Sequence, residues 1–192
     1  MTVFVKPFLK LSFAIALLAV VSSGSFPCRA DEQNPSVVVT RKGDTFVVDV
    51  VMFALVKQET AWEVLTDFDH MPDFLSNLSY SKTLRRDGSL LLVKQSGLAK
   101  YGIFSFAFES EREIRLEGMH HIYSRNISGT TRRMESEASL MQAGNGVQIR
   151  YHAEMVPDSA LAHIFGKSFV NHEFAEQFRL MLDEMKRRER KS

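Results

Sequence analysis

Cysteine is nearly absent from this chain: its 192 residues include one, Cys28. One thiol builds no disulfide framework, no CxxC redox pair and no thiolate zinc site. Tryptophan (one), proline (five) and glycine (ten) are scarce too. That scarcity, with no fixed period along the chain, excludes collagen, solenoid and propeller architectures. An excess of one charge sign is also missing, since 24 Lys+Arg stand against 23 Asp+Glu. The balance supplies no basic field for a nucleic acid, so no nucleic-acid partner is expected. What the chain does hold is apolar mass. It is 45% hydrophobic, with 15 Phe and nine Met, enough for the core of one ordinary domain.

The one long apolar run is at the start. Lys6 and Lys10 are followed by eleven apolar or small residues over 11–21, then by Ser22, Ser23, Gly24 and Ser25. Cys28-Arg29-Ala30 offers a small-x-small cleavage site before Asp31. This order reads as a secretory signal peptide over 1–30, and the run is shorter than the roughly 20 residues that span a bilayer. Phe26 and Pro27 stand where a lipobox wants small residues before its cysteine. Cleavage would remove Cys28, three basic residues and no acidic one, leaving a net charge of about −2. The expected location is a bacterial periplasm.

Residues 31–44 are polar and read as a linker, leaving a domain over 45–190. The Val- and Phe-rich stretch 45–56 reads as a strand. Thr60 with Glu63 three residues on gives a capping-box pattern for a short helix, and Met71-Pro72-Asp73 opens a second one. Residues 78–156 carry no helical pattern. They read as six strands, over about 79–85, 89–95, 102–113, 114–127, 131–141 and 147–156. Asp87-Gly88, Gly118, Ser128-Gly129 and Gly144-Asn145-Gly146 supply the turns. Apolar and polar residues alternate from Val147 to Met155, so one sheet face is covered and one is wet. A short turn is expected at 160–165. Beyond it, Val170, Phe174, Phe178, Met181, Leu182 and Met185 form one helical stripe, with His172, Glu173, Glu176, Arg179 and Asp183 opposite. The expectation is an α+β domain: a curved antiparallel sheet of about seven strands, two short helices after the first strand, and a long C-terminal helix across the sheet.

That order resembles the START-like helix-grip superfamily, the polyketide cyclase/dehydrase and lipid-transport group. The resemblance rests on Ala61-Trp62-Glu63-Val64-Leu65-Thr66-Asp67-Phe68-Asp69 with Met71-Pro72-Asp73-Phe74, on Arg86-Asp87-Gly88, on the run from Tyr151 to Pro157 and on the last helix. It covers roughly 46–188 and is closest to the coenzyme Q-binding subgroup. It implies a hydrophobic cavity between sheet and helix. Lining candidates are Trp62, Phe74, Phe104, Phe106, Phe108, Met134, Leu140, Tyr151, Phe174, Phe178 and Met181. Aromatics bring large apolar area and Met adapts to irregular shapes. The same side chains could equally fill one another's space, as in any close-packed core.

Catalytic signatures are missing. There is no G-x-S-x-G elbow, and His172-Glu173 lacks the second histidine of H-E-x-x-H. His120 and His121 are adjacent, which in a strand sends them to opposite faces and holds no metal. His152 shares a face with Arg150 and Glu154, a pattern that reads as a solvated cross-strand charge cluster. Cyclase-type acid–base chemistry would draw on Tyr151, Tyr123 or Arg125. No catalytic residue, cofactor or metal ligand is assigned. Three functions stay open: an exported carrier for a lipid or isoprenoid/quinone-like molecule, a polyketide cyclase/dehydrase-like enzyme, or an interaction module with a filled core. The first is favoured, with a hydrophobic small molecule or lipid as partner, a transient membrane contact as a further expectation, and no protein partner indicated.

Overall fold

Alternation decides the sheet. In 45–54 the residues Phe46, Val48, Val50, Met52 and Ala54 are at most 2% exposed, while Asp49 and Val51 between them face water. A period of two with one apolar face is a strand that must be covered on one side. The computed structural model describes residues 34–158 and 166–192, apart from the side chains of Tyr101 and Phe104. The expected leader at 1–30 and the short turn at 160–165 lie outside the described residues.

Eight strands follow one another as β1 (Ser36–Lys42), β2 (Thr45–Ala54), β3 (Leu78–Asp87), β4 (Leu90–Tyr101), β5 (Phe104–Glu117), β6 (His121–Gly129), β7 (Thr131–Ala143) and β8 (Gly146–Pro157). They form one sheet in the order β1-β2-β8-β7-β6-β5-β4-β3, antiparallel throughout. Helix α1 (Gln58–Thr66) and a 3-10 turn (Phe68–Asp73) link β2 to β3, and helix α2 (Lys167–Glu189) closes the chain.

The α+β architecture and its long closing helix match the reading of the sequence, with three differences. Among the described residues the strand count is eight, not about seven: Ser36–Lys42, in the stretch read as linker, is an edge strand paired from Ser36↔Val51 to Lys42↔Thr45. Its Val37 and Val39 pack on the core while Val38 stays exposed. β5 also runs unbroken through 113–114 and ends at Glu117, where Gly118 turns the chain with φ 57°. Finally, α1 starts at Gln58 without a side-chain cap. Thr60 is instead buried, and its hydroxyl donates to the Glu189 carboxylate at the far end of α2.

The stripe of α2 lies on the concave face of the sheet. Val170, Phe178, Leu182 and Met185 are at most 5% exposed, and each such burial is worth about 2 kcal/mol. Charge pins the C-terminal end of the helix. Glu184 is 5% exposed and accepts from Arg187 (2.6 Å) and Arg188 (2.7 Å), and Arg188 also donates to Asp67 (2.8 Å) below α1. The interior at this end is filled by Met52, Ala61, Val64, Leu140, Val147 and Ile149.

The start of β3 is held by a close backbone approach. The Leu98 N–H donates to the Asn77 carbonyl (2.8 Å), and a Cβ on Gly97 would lie 1.9 Å from that oxygen. Gly97→Ala must push the two strands apart, and we expect a loss of about 2 kcal/mol. The urea midpoint measures it, and an unchanged midpoint would show that this contact does not constrain the sheet.

Candidate functional site

Under the first half of α2 the interior is open. A cavity of about 260 Å³ lies between the helix and β4–β8, walled mainly by apolar side chains. Seven of the side chains singled out from sequence meet there: Phe106 and Phe108 from β5, Met134 from β7, Tyr151 from β8, and Phe174, Phe178 and Met181 from α2. The Tyr151 ring lies 5.8 Å from Phe174 and 5.1 Å from Phe178, and Phe106 meets Phe169 edge-on at 5.6 Å. Phe174 and Met181 lie on the buried stripe yet remain half-buried, because what they face is cavity.

Three other candidates are elsewhere. Leu140 is 1% exposed and sits two positions past Ala138, opposite Ile149, at the filled end of the sheet. Trp62, on α1, and Phe74, after the 3-10 turn, are half-buried against the core but are not part of the cavity wall. The Arg188 guanidinium covers the Phe74 ring at 5.8 Å. Phe104 is in β5 on the same parity as Phe106, but its side chain lies outside what the structure describes.

The polar groups of the wall were not singled out from sequence, Tyr151 excepted. Gln95, Arg112, Ser124, Ser136, Asn77 and Glu173 all reach it. Arg112 sits among Glu109, Glu111 and Glu113, so its stretch looks solvated. Parity is the signal that finds it, because Phe106, Phe108, Ser110, Arg112 and Ile114 share one face of β5. Glu173 was placed on the wet side of α2 but is half-buried, and accepts from Asn77 Nδ2 (3.2 Å). Burial raises the Tyr151 hydroxyl above its ordinary 10.0, only partly countered by a hydrogen bond with Ser136 and by the Arg112 charge. At neutral pH Tyr151 therefore keeps its proton, and can donate to a ligand but not abstract from one.

The opposite face of the sheet is of another kind. Tyr123 and Arg125 point there, away from α2, into a shallow depression with Glu113, Arg115, Glu135, Glu137 and His152. Many of its polar side chains are partnered: Arg125 forms an ion pair with Glu113 at 3.0 Å, while His121 meets Glu137 at 2.9 Å and His152 meets Asp49 at 2.7 Å. This is a solvated ion-pair surface, worth little per pair. His120 diverges from His121 and meets Gln58 at 2.9 Å.

Glu173 gives this site a pH signature. Burial pushes its carboxyl above the ordinary 4.5, and the bonds from Asn77 and the Lys100 backbone, with His172 nearby, only partly counter that. The folded state then holds the proton to higher pH than the unfolded chain. Its contribution is intact below pH 4.5 and is lost as pH rises through the folded value. Glu173→Gln should accordingly be more stable than the wild type at neutral pH and equal to it below pH 4.5, as read from urea midpoints across pH. A wild type that gains on the variant as pH rises would contradict the assignment.

Comparison with known proteins fits this geometry. The family model described as polyketide cyclase / dehydrase and lipid transport matches residues 56–177. No curated protein matches the chain by sequence. Among solved structures, the Zhui aromatase/cyclase from Streptomyces sp. R1128 superposes with a TM-score of 0.66 at 14% identity, over 75% of this chain and 95% of that one. A START superfamily protein from Mycobacterium smegmatis gives 0.59 at 11% identity, over 76% and 97% of the two chains. A STAR-related lipid transfer protein from Xanthomonas axonopodis gives 0.56 at 10%, over 80% and 99%. At such identities these likenesses establish the helix-grip fold. The family match spans well over half of the sequence, so the chain belongs to the polyketide cyclase/dehydrase and lipid transport family.

Proposed function

We propose that the protein is an exported carrier that holds a hydrophobic small molecule, a lipid or isoprenoid/quinone-like compound, between the sheet and α2. One observation carries the reading: beside the packed core lies a cavity of about 260 Å³ walled by Phe106, Phe108, Met134, Phe174, Phe178 and Met181. Such a wall gives an apolar guest large contact area with little directional demand. Membership of a family that includes lipid transport supports the reading. The basic, apolar and small-residue order of 1–30 supports export to the periplasm. Access from a membrane surface fits the β4–β5 hairpin, where Ile103 is 94% exposed two residues from Tyr101 and close to the cavity residues Ala99 and Phe106. Among the described residues no helix is long and apolar enough to cross a membrane. A cyclase-like reading has one observation in its favour, the protonated Tyr151 inside the cavity, a proton donor that shares the wall with the Glu173 carboxyl.

Native mass spectrometry of protein prepared without detergent tests the carrier reading. We expect a bound apolar species of a few hundred daltons that solvent extraction recovers unchanged. Phe106→Asp should abolish its retention while circular dichroism keeps the β-rich spectrum. A protein that stays empty after incubation with a lipid extract would sink the proposal. Recovery of a chemically altered guest, lost in Tyr151→Phe, would move it to the enzyme. For export, cell fractionation should recover a periplasmic chain whose N-terminus lies near Asp31. A full-length chain in the cytoplasmic fraction would contradict it.

A further inference from the structure

Six neighbouring strands each contribute a polar side chain to one row on the concave face. They are Ser81 on β3, Gln95 on β4, Arg112 on β5, Ser124 on β6, Ser136 on β7 and Tyr151 on β8. Ser81 stands directly opposite Gln95, and Ser124 directly opposite Ser136. Arg112 faces Val93, which makes Gln95 its diagonal neighbour, and Tyr151 faces Ala138, one diagonal from Ser136. The outcome is a polar row running across the strands through a wall that is mainly apolar.

Four of the neutral members pair with one another. Gln95 Nε2 donates to Ser81 Oγ (3.0 Å) and lies 3.4 Å from Met71 Sδ, while Tyr151 is hydrogen-bonded with Ser136. Arg112 is the exception. It donates to Gln95 Oε1, and its buried Nε–H has no acceptor. Among the described residues it has no carboxylate partner. Glu113, next in sequence, is taken by Arg125 on the other face, and Glu173 across the cavity is engaged by Asn77. A guanidinium cannot escape burial by losing its proton. A cation kept out of water without a counter-charge is costly, and cores seldom retain one. The surface that Arg112 keeps is cavity wall, so a guest is what can reach it.

We infer that the ligand is an apolar acid, inserted with its carboxylate on Arg112 at the polar row and its hydrocarbon body against the Phe and Met side chains. The planar fork of a guanidinium matches a carboxylate in two parallel hydrogen bonds, with the Tyr151 hydroxyl beside it as a further donor. This rests on the carrier reading and narrows it, selecting acids over neutral lipids and quinones of the same size.

The test uses matched probes that differ only in the head. Dodecanoate and dodecanol form one pair, anthracenecarboxylate and anthracenemethanol the other. Calorimetry at neutral pH is run on protein stripped of copurified lipid. In at least one pair the acid should bind about tenfold tighter than the alcohol, as a charge-assisted hydrogen bond supplies. The pair that shows it separates chain-like from fused-ring ligands. Arg112→Met should erase the preference by weakening the acid's binding far more than the alcohol's, and Arg112→Lys should restore part of it. Equal binding of acid and alcohol to the wild type overturns the inference and leaves the carrier reading standing. So does an acid preference that survives in Arg112→Met. If no probe binds, both fall. The wild-type comparison stands without the variants, should either lose its folded circular dichroism spectrum.

Discussion

This antiparallel sheet buries one face, and the long C-terminal helix covers it together with α1 and the 3-10 turn. Everything inside depends on this contact. Leu182 and Met185 press into the sheet at one end, where Met52, Leu140 and Ile149 leave no room. Toward the other end the same helix stands over Phe106, Met134 and Tyr151 with space between. The packed half supplies much of the apolar burial that holds the helix in place, and the ion pairs among Glu184, Arg187, Arg188 and Asp67 anchor it there. The open half can remain open because the packed half carries the load of folding.

The two faces of the sheet treat charge in opposite ways. Outside, Arg125, His121 and His152 each have a carboxylate within 3.0 Å, in water that would screen them anyway. Inside, the one guanidinium of the polar row is left with an amide oxygen from Gln95 and, among the described residues, no carboxylate. Ordinary core design would remove the charge or pair it. Its retention beside a cavity is the feature of this interior that packing alone does not explain.

Much of the architecture was legible in the sequence. The alternation from Val147 to Met155 and the stripe from Val170 to Met185 impose a one-sided sheet and a helix that must cover it. β1 was not, because SVVVTRK is short, lies at an edge and shows only Val37 and Val39 to the core, which is too little signal beside polar neighbours. The cavity wall was half legible. Phe106, Phe108, Phe174 and Phe178 advertise an apolar surface, but no local pattern tells whether such a surface meets a neighbour or a void. Leu140 shares its strand face with Ala138 and Met134 and differs only in where along β7 the filling ends. That limit is set by α1 and the far half of α2, which are distant in sequence. Arg112 was hidden by its acidic neighbours, although its parity with Phe106 and Phe108 was there to be read.

An interior cation without a counter-ion also makes the empty protein less stable than its packing would allow. Any guest that neutralises Arg112 binds the folded chain and not the unfolded one, so it raises the unfolding free energy by RT ln(1 + [L]/Kd). Occupancy of the proposed site would then be coupled to lifetime, a loaded molecule resisting proteases and heat longer than a vacant one. For a carrier of the kind proposed, turnover would then fall first on vacant molecules, with no separate sensor.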